Sequence, residues 1–335
     1  MQTCEEDLEK LLLMFLIGFG ICMVVAPLII FLMRRLKAGQ NILHYVESHS
    51  SKQGTPTMGG FIFLFGIVVG YFIISGEKFL TFLALIITLC YALLGFLDDF
   101  LKIKLKHNEG LKAYQKFVGQ FGIALIIAIF VYTSGLVGST IIMPFSLKVI
   151  DIGWWIIPFV IFVYLAITNA VNLTDGLDGL AGKTSIIYIL CFSLFVFITI
   201  EKMTISTVLM TEYSNLLLFA CLFAGGILAF VCFNSHPAKI FMGDTGSLAI
   251  GGFVATLACF TRFYFLMPII GIVFVSSVIS VILQVGYYKM TKKRIFKMAP
   301  LHHHFEKCGV KETKIVTVYS VVTLIVGLLV IVFAF

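Results

Sequence analysis

The chain has 335 residues, of which 60% are hydrophobic and only 12% are charged, and its formal net charge is +7. Soluble domains carry about 25% charged residues, so this composition excludes a water-soluble globular protein. The eight cysteines show no CxxC or Cys/His spacing that would indicate a zinc centre. We also expect no nucleic-acid partner, because the positive net charge of a membrane protein reflects its topology.

Ten apolar runs come close to the roughly 20 helical residues that are needed to cross about 30 Å of hydrocarbon. The shortest of them is the sixth, and Arg262 and Pro268 mark a tight turn between the eighth and the ninth. The sequence therefore predicts an all-α integral membrane protein of about ten transmembrane helices, in a single polytopic domain over residues 1–335. The runs lie at 11–33, 58–76, 79–97, 117–138, 154–173, 184–200, 215–233, 247–266, 267–288 and 315–335.

The basic residues are distributed unevenly between the two sets of loops. If both termini lie on the outer (periplasmic or extracellular) side, only five of the 24 Lys and Arg residues face outward. Positive charge accumulates on the cytoplasmic side of membrane proteins, so this orientation is favoured. All seven histidines and five of the seven aspartates then fall in cytoplasmic loops, so we expect the active site at that face. The outward basic residues are Lys10, Lys78, Lys148, Lys202 and Arg262.

The first polar motif lies just before the second run. Lys52 precedes the segment Gly54-Thr-Pro-Thr57-Met-Gly-Gly. A glycine-rich backbone can hold a phosphate or a base through its N–H groups. The motif therefore suggests a ligand-binding segment, although a lysine in this position also serves the positive-inside bias.

Two adjacent carboxylates, Asp98 and Asp99, end the third run. Carboxylates near a membrane cost free energy and repel each other, so their pairing suggests a bound cation or a shared proton. A solvated helix end is the alternative interpretation. Lys112 and Lys116 follow just before the fourth run and could supply positive charge to an anionic substrate.

Two further acidic loops follow the fifth and seventh runs. The first contains Asn172, Asp175 and Asp178 among glycines, and one helical turn would place the two aspartates on the same side. It lacks the twelve-residue calcium-loop pattern, and a glycine-rich turn with capping aspartates is the structural alternative. The second runs from Asn234 to Ser247 and includes His236, Phe241 and Asp244; Asp244 could also cap the following helix. Hard oxygen ligands without cysteine favour Mg²⁺ or Mn²⁺.

The last cytoplasmic loop carries three consecutive histidines, His302, His303 and His304. Consecutive side chains point in different directions, so they are poor candidates for one three-histidine metal site, but they can bind phosphate or move a proton. Before them, the stretch 286–297 mixes apolar and basic residues, which predicts an interfacial helix that borders a hydrophobic groove. Ordinary positive-inside flanking is the alternative.

These motifs resemble the bacterial phospho-N-acetylmuramoyl-pentapeptide transferase family, within the polyprenyl-phosphate N-acetylhexosamine-1-phosphate transferase superfamily. The aspartate motifs are typical of the superfamily, and the Thr-Pro-Thr-Met-Gly-Gly and triple-histidine segments favour the muramoyl branch. The matching segments are GTPTMGG at 54–60, LDD at 97–99, NLTDGLDGLA at 172–181, FNSHPAKIFMGDTGS at 233–247 and PLHHHFE at 300–306.

The resemblance implies a reaction and its partners. Phospho-MurNAc-pentapeptide would pass from UDP-MurNAc-pentapeptide to undecaprenyl phosphate with Mg²⁺ as cofactor, which gives lipid I and UMP in the first membrane step of peptidoglycan synthesis. The enzyme would be a multi-pass homodimer of the bacterial cytoplasmic membrane. Direct in-line attack is favoured, because a lipid phosphate is already an anionic nucleophile, and a two-step route through an aspartyl-phosphate remains open.

The resemblance also implies roles for the motif residues. Asp244 would bind Mg²⁺ on the diphosphate, Asp98 would position or deprotonate the lipid phosphate, and Asp99 would support the metal as a second ligand. Residues implied in catalysis are Asp98, Asp99, Lys116, Asn172, Asp175, Asn234, Asp244, His302, His303 and His304. Those implied in substrate binding are Lys52, Thr57, Lys112, Asp178 and Phe241.

Two other functions fit parts of this pattern. A sister enzyme that transfers GlcNAc-1-phosphate from UDP-GlcNAc would share the metal and lipid sites. An ion-coupled transporter is a rival from another class, because acidic residues near membranes often mark ion paths. Transporters usually bind their substrates near the membrane midplane, however, and no predicted span has an ionisable residue near its centre.

Overall fold

The computed structural model describes residues 2–36, 54–76, 78–105, 110–200, 202–203 and 205–334, with side chains described from Glu6 onward. Lys52 lies outside the described residues, so its predicted role stays a prediction. The helices are α1 Gln2–Arg35, α2 Phe61–Tyr71, α3 Phe79–Leu105, α4 Ala113–Thr133, α5 Ile156–Thr174, α6 Leu180–Ile200, α7 Thr207–Asn234, α8 Gly243–Phe260, α9 Leu266–Ile270, α10 Ile272–Thr291, α11 Leu301–Lys307 and α12 Glu312–Val332.

Nine helices of the described part of the chain are long and apolar enough to cross a membrane: α1, α3 to α8, α10 and α12. The predicted membrane protein is therefore confirmed at this level. The second predicted run, 58–76, forms only the 11-residue helix α2, which is about 17 Å long and too short to span on its own. The sixth run is longer than expected, since α6 begins at Leu180 and has 21 residues.

A small antiparallel hairpin departs from the all-α prediction. Strands β1 (Thr140–Ile142) and β2 (Val149–Asp151) pair between α4 and α5, with Ile141 opposite Ile150. Each strand has only three residues and alternates with turns, so it carries no periodic signal strong enough to stand out in an apolar sequence.

Helices α7 and α8 form the centre of the bundle and are buried along most of their length. α8 packs against α3 on one side and α5 on the other, and its small residues permit close contact. A Cβ on Gly251 would lie 2.6 Å from the Cα of Thr168 in α5, and one on Gly252 would lie 2.6 Å from the ring of Tyr91 in α3. Small residues at such contacts let membrane helices pack closely, which fixes the position of α8.

The segment after α10 corrects the prediction of an interfacial helix over 286–297. α10 continues to Thr291, and Lys292 ends it in the left-handed conformation with φ +58°. The chain then folds back along α10, where the side-chain oxygen of Gln284 accepts hydrogen bonds from the N–H groups of Ile295 and Phe296. Phe296 thereby borders an apolar groove beside α10, as described below.

Candidate active site

The first turn of α8 is held by Asp99 of α3, a carboxylate that is 3% exposed. The N–H groups of Asp244 and Thr245 donate hydrogen bonds to its two oxygens over 3.1 and 2.9 Å, and the Thr245 hydroxyl donates over 2.7 Å. These N–H groups have no acceptor within α8, and a carboxylate is stabilised at the positive end of a helix dipole. Asp99 therefore fixes the position of Asp244.

Asp244 is the centre of a network that joins four helices. Its Oδ1 accepts a hydrogen bond of 2.7 Å from the amide of Asn172 at the end of α5. Its Oδ2 lies 3.0 Å from the ammonium groups of both Lys102 and Lys116, from α3 and α4. Lys116 also donates to the side-chain oxygen of Asn172 over 3.2 Å. The predicted residues Lys116, Asn172 and Asp244 are thus brought together.

Asp98 faces the same network from α3 and is equally buried. One oxygen accepts a hydrogen bond of 2.8 Å from the N–H of Leu111, and the other lies 2.5 Å from the Lys102 ammonium. Sequence reasoning missed Lys102. Its spacing of four residues from Asp98 was the available signal, because residues i and i+4 of a helix are neighbours on one face.

Asp98, Asp99 and Asp244 could together hold a metal ion, because one oxygen from each lies within 4.8 Å of the others. All three donors are carboxylates, which is the chemistry that Mg²⁺ prefers. The Lys102 ammonium already lies among them as a stand-in cation. Asp99 keeps coordinating capacity, because a carboxylate has about four lone-pair sites and three of them accept hydrogen bonds here. The residues present therefore fit a divalent cation.

The glycine-rich segment after Lys52 packs against the start of α8. The N–H of Gly59 donates to the carbonyl of Phe241 over 2.8 Å, and the N–H of Phe241 donates to the carbonyl of Pro56 over 2.8 Å. A Cβ on Gly243, which has φ +75°, would lie 2.8 Å from the buried Thr57 hydroxyl and 2.5 Å from Asp99. Thr57 therefore lies beside the carboxylates, and Phe241 lies half-buried on the adjoining loop.

A second cluster surrounds Asp178. Its Oδ2 accepts a hydrogen bond of 3.1 Å from the N–H of Ala238 and lies 3.3 Å from His236 Nδ1. Glu312, at the start of α12, lies 3.4 Å from the same imidazole nitrogen and accepts a 2.6 Å hydrogen bond from the N–H of Asp178. No sequence signal pointed to Glu312, because it is 134 residues away from Asp178 and belongs to no motif.

Asn234 is buried, and both ends of its side-chain amide form hydrogen bonds with the backbone. Its oxygen accepts from the N–H of Gly179 over 2.9 Å, and its NH₂ donates to the carbonyl of Ile240 over 2.9 Å. Asn234 therefore joins the start of α6 to the loop before α8. Lys112 lies exposed at the start of α4, away from the interior of the network.

Asp175 follows α5 and is half-buried. Burial, followed by the negative charges of Asp244, Asp99 and Asp178, raises the pKa of Asp175 to about 8. Asp175 is therefore largely protonated at neutral pH.

The three histidines of α11 point in different directions, as predicted. His302 is fully buried beside Gly176, and neither of its ring nitrogens has a hydrogen-bond partner among the described residues. Burial, assisted by His303, lowers the pKa of His302 to about 3, so this imidazole is neutral. His303 Nδ1 lies 3.0 Å from a carboxylate oxygen of Glu306, and His304 accepts a hydrogen bond from the N–H of Lys297. Of these three histidines, His303 therefore lies beside the loop that follows Asp175 and has a charged partner, Glu306.

The sequence is similar to one well-defined group of enzymes. The sequence profile of glycosyl transferase family 4 matches residues 81–262, and signature 1 of phospho-N-acetylmuramoyl-pentapeptide-transferase matches residues 52–64. The chain is 43% identical to the phospho-N-acetylmuramoyl-pentapeptide-transferase of Clostridium novyi (strain NT), over 94% of each chain. It is 43% identical to that of Thermoanaerobacter sp. (strain X514), over 95% of this chain and 96% of the relative. It is 41% identical to the phospho-N-acetylmuramoyl-pentapeptide-transferase of Clostridioides difficile (strain 630), over 93% of this chain and 94% of the relative.

Proposed function

This chain belongs to the phospho-N-acetylmuramoyl-pentapeptide-transferase family, and we propose that it transfers phospho-MurNAc-pentapeptide from UDP-MurNAc-pentapeptide to undecaprenyl phosphate. The products are lipid I, a precursor of peptidoglycan, and UMP. The observation that carries the proposal is the network around Asp244, in which three carboxylates and two lysines meet at one end of a bundle of apolar helices. A soluble anionic donor and a membrane-bound phosphate can both reach such a site.

We place this end of the bundle at the cytoplasmic face of the bacterial inner membrane, with both termini outside. This orientation requires ten crossings, so in this proposal the short apolar helix α2 and the segments that flank it complete the tenth. The distribution of Lys and Arg supports this orientation. The outer end then carries the β-hairpin and Arg262, whose guanidinium donates hydrogen bonds to Tyr213 and Thr140. The membrane part forms a single domain in this proposal, because α7 and α8 pack with helices from both halves of the chain.

Mg²⁺ is the proposed cofactor. Asp244 and Asp99 would hold it, with Asp98 adjacent, and the ion would neutralise charge on the diphosphate and its leaving oxygen. The hydrogen bonds from the first turn of α8 hold Asp99 in place, so the carboxylates are arranged before any substrate binds.

The transfer forms one bond and breaks one. An oxygen of the lipid phosphate attacks the sugar-linked phosphorus, and the bond from that phosphorus to the bridging oxygen breaks, so its electron pair leaves with UMP. Asp98 orients the lipid phosphate or takes up its remaining proton. Lys116, held by Asn172 and Asp244, places positive charge beside the reacting phosphates, since phosphoryl transfer depends mainly on alignment and charge neutralisation.

The uridine end of the donor is assigned to Phe241, Asp178 and Lys52. Phe241 offers an aromatic face on a loop that pairs with the segment following Lys52. Asp178 is buried and offers a carboxylate beside that loop. Thr57 and Lys112 are proposed to contact the donor from the two sides of the network, and Asp175, Asn234 and the histidines of α11 line or support the cleft.

The polyprenyl chain is assigned to an apolar groove of about 320 Å³ beside α10. Ser277 of α10 shares a 3.0 Å hydrogen bond with Thr174, the residue before Asp175, so the groove helix contacts the acidic site. A lipid tail in the groove would place its phosphate near the network. The lining residues are Ile272, Val275, Ser276, Ile279, Ser280, Leu283, Phe296 and Leu301. The homodimer that the family resemblance implies stays a prediction, which native mass spectrometry of the detergent-solubilised protein can test.

The donor specificity is tested with purified protein, undecaprenyl phosphate and Mg²⁺, by measuring UMP release and the labelled lipid product. We expect turnover with UDP-MurNAc-pentapeptide, and loss of turnover without lipid phosphate or with EDTA. Turnover with UDP-GlcNAc but not with the muramoyl donor would move the chain to the sister activity. If folded protein released UMP from neither donor, the transferase proposal would be contradicted.

A further inference from the structure

Lys102 occupies an unusual position within the proposed metal site. Its ammonium lies 2.5 Å from Asp98 Oδ2, 3.0 Å from Asp244 Oδ2 and 3.9 Å from Asp99 Oδ1. These are the same three carboxylates that could hold a divalent ion. The side chain is 27% exposed, so the site around Lys102 is partly open to solvent.

Lys116 differs from Lys102 in its anchoring. Its ammonium contacts one carboxylate of the three, that of Asp244, and it is also held by the neutral side-chain oxygen of Asn172. Lys116 therefore keeps a partner that a metal ion does not take, whereas the ion-pair partners of Lys102 in the described part of the chain are all candidate metal ligands.

A divalent ion and an ammonium group cannot share these oxygens without strong repulsion. An ion held by Asp244 and Asp99 would compete for carboxylates that the Lys102 ammonium now contacts. The lysine stem is flexible and stands in the last turn of α3, so the ammonium can move without a change in the helix.

We propose that Lys102 is an exchangeable counter-ion of this site: it neutralises the three carboxylates in the ion-free chain, and divalent-ion binding releases its ammonium toward the incoming phosphate. The inference rests on the proposed function for the identity of that phosphate, but the exchange itself concerns only the ion and the free protein. Lys102 is thus a positioning residue whose charge moves from carboxylate to phosphate when the ion arrives.

The exchange is tested by Mn²⁺ binding to the purified, substrate-free protein, followed by electron paramagnetic resonance. Lys102→Met removes the competing cation and keeps a similar length, so we expect it to lower the Kd for Mn²⁺ by about tenfold or more. Lys104→Met removes an exposed charge two residues further along α3 and serves as the matched control, with an unchanged Kd. Equal or weaker Mn²⁺ binding by Lys102→Met would overturn the exchange.

The same experiment separates this inference from the metal role itself. Saturable Mn²⁺ binding with equal affinities in all proteins would overturn the exchange alone. No saturable binding to any of them would overturn the metal role in the proposed function, and the exchange with it.

A second measurement uses the unaltered chain, because Lys102→Met leaves three carboxylates without their ammonium and has to be checked for folding. Lysine acylation by an activated acetate ester is followed at each site by peptide mass spectrometry, with and without Mg²⁺. Only the neutral amine of a lysine is acylated, and separation from the carboxylates makes this form more accessible. Mg²⁺ should therefore accelerate acylation at Lys102 several-fold and leave Lys104 unchanged. Unchanged or slower acylation of Lys102 would contradict the exchange.

Discussion

At the scale of single residues, the site separates carboxylates by their surroundings. Asp99 accepts hydrogen bonds from the start of α8, and Asp98 and Asp244 face lysines, so each of the three has donors or cations around its negative charge. No lysine or arginine of the described residues pairs with Asp175, and burial, followed by the nearby negative charges, raises its pKa to about 8. These surroundings favour the neutral form of Asp175 at neutral pH.

Asp175 gives a prediction for stability against pH. Its pKa of about 8 exceeds the value of about 3.9 for an unperturbed carboxyl, so the folded chain holds a proton that the unfolded chain has lost between these pH values. Stability should therefore fall as pH rises from about 4 to about 8. Asp175→Asn cannot ionise, and we expect its melting temperature to fall less over this range in detergent without divalent ions.

The control for this prediction is Asp151→Asn in the hairpin. Hydrogen bonds from the Ser139 hydroxyl and the Gly153 N–H lower the pKa of Asp151, so its contribution is lost only at pH values below this range. Asp151→Asn should therefore keep the wild-type slope. An Asp175→Asn protein with that same slope would contradict the protonation of Asp175.

The motif carboxylates were predictable because acidic residues beside apolar runs stand out against the cost of burying charge. Their partners were harder to predict. The only sequence signal for Lys102 was its i, i+4 spacing from Asp98. Asn234 was expected to line the cleft, but its side-chain amide joins two backbone segments. Such roles depend on which segments meet in space, which a motif does not specify.

At the scale of helices, α3 positions the chemistry from both of its ends. Glu212 of α7 is buried, and its two carboxylate oxygens accept hydrogen bonds from the N–H groups of Phe79 and Leu80 at the start of α3. The other end carries Asp98 and Asp99. The span itself was predictable from its apolar run, but the contact with Glu212 joins positions more than 130 residues apart and left no local pattern.

The approach of α3 to α8 depends on Gly95. A Cβ at this position would lie 2.1 Å from the carbonyl oxygen of Asp244, so Gly95→Ala has to push the start of α8 away. We expect a loss of about 1–3 kcal/mol in stability and at least a tenfold fall in kcat. Thermal unfolding and the rate of UMP release measure the two effects.

Gly122→Ala in α4 is the matched control, because a Cβ there meets no atom within 4 Å. Alanine favours a helix over glycine by roughly 0.8–1.0 kcal/mol in soluble helices, so this variant should be as stable as the parent or slightly more so, with normal turnover. Full activity of Gly95→Ala would show that the close approach of α3 to α8 does not determine the geometry of the site.

At the scale of the whole molecule, hydropathy predicted the class of protein but not the length of every helix. Nine helices in the described ranges are long enough to span, and the second run divides into the glycine-rich segment of the site and the short helix α2. That apolar run joins a buried loop to a short helix, and composition alone does not distinguish the two. Local sequence patterns also did not predict which helices pack against α7 and α8.

The proposed orientation can be tested by labelling in intact cells. Cys308 is exposed at the end of α11 beside the site, and Ser146 is exposed in the hairpin at the opposite end. A membrane-impermeant maleimide should label Ser146→Cys from outside, and should label Cys308 only after the membrane is opened. Peptide mass spectrometry identifies each site, and labelling of Cys308 in intact cells would reverse the orientation.

The central claim is that the network around Asp244 is the catalytic centre, and Asp244→Asn tests it most directly. The substitution keeps the shape of the side chain but removes the charge that two lysines and a metal ion would share. With UDP-MurNAc-pentapeptide, undecaprenyl phosphate and Mg²⁺, we predict that UMP release falls at least about a hundredfold in folded protein, while Asp151→Asn at the opposite end keeps the wild-type rate. Near-normal UMP release by Asp244→Asn would contradict the account.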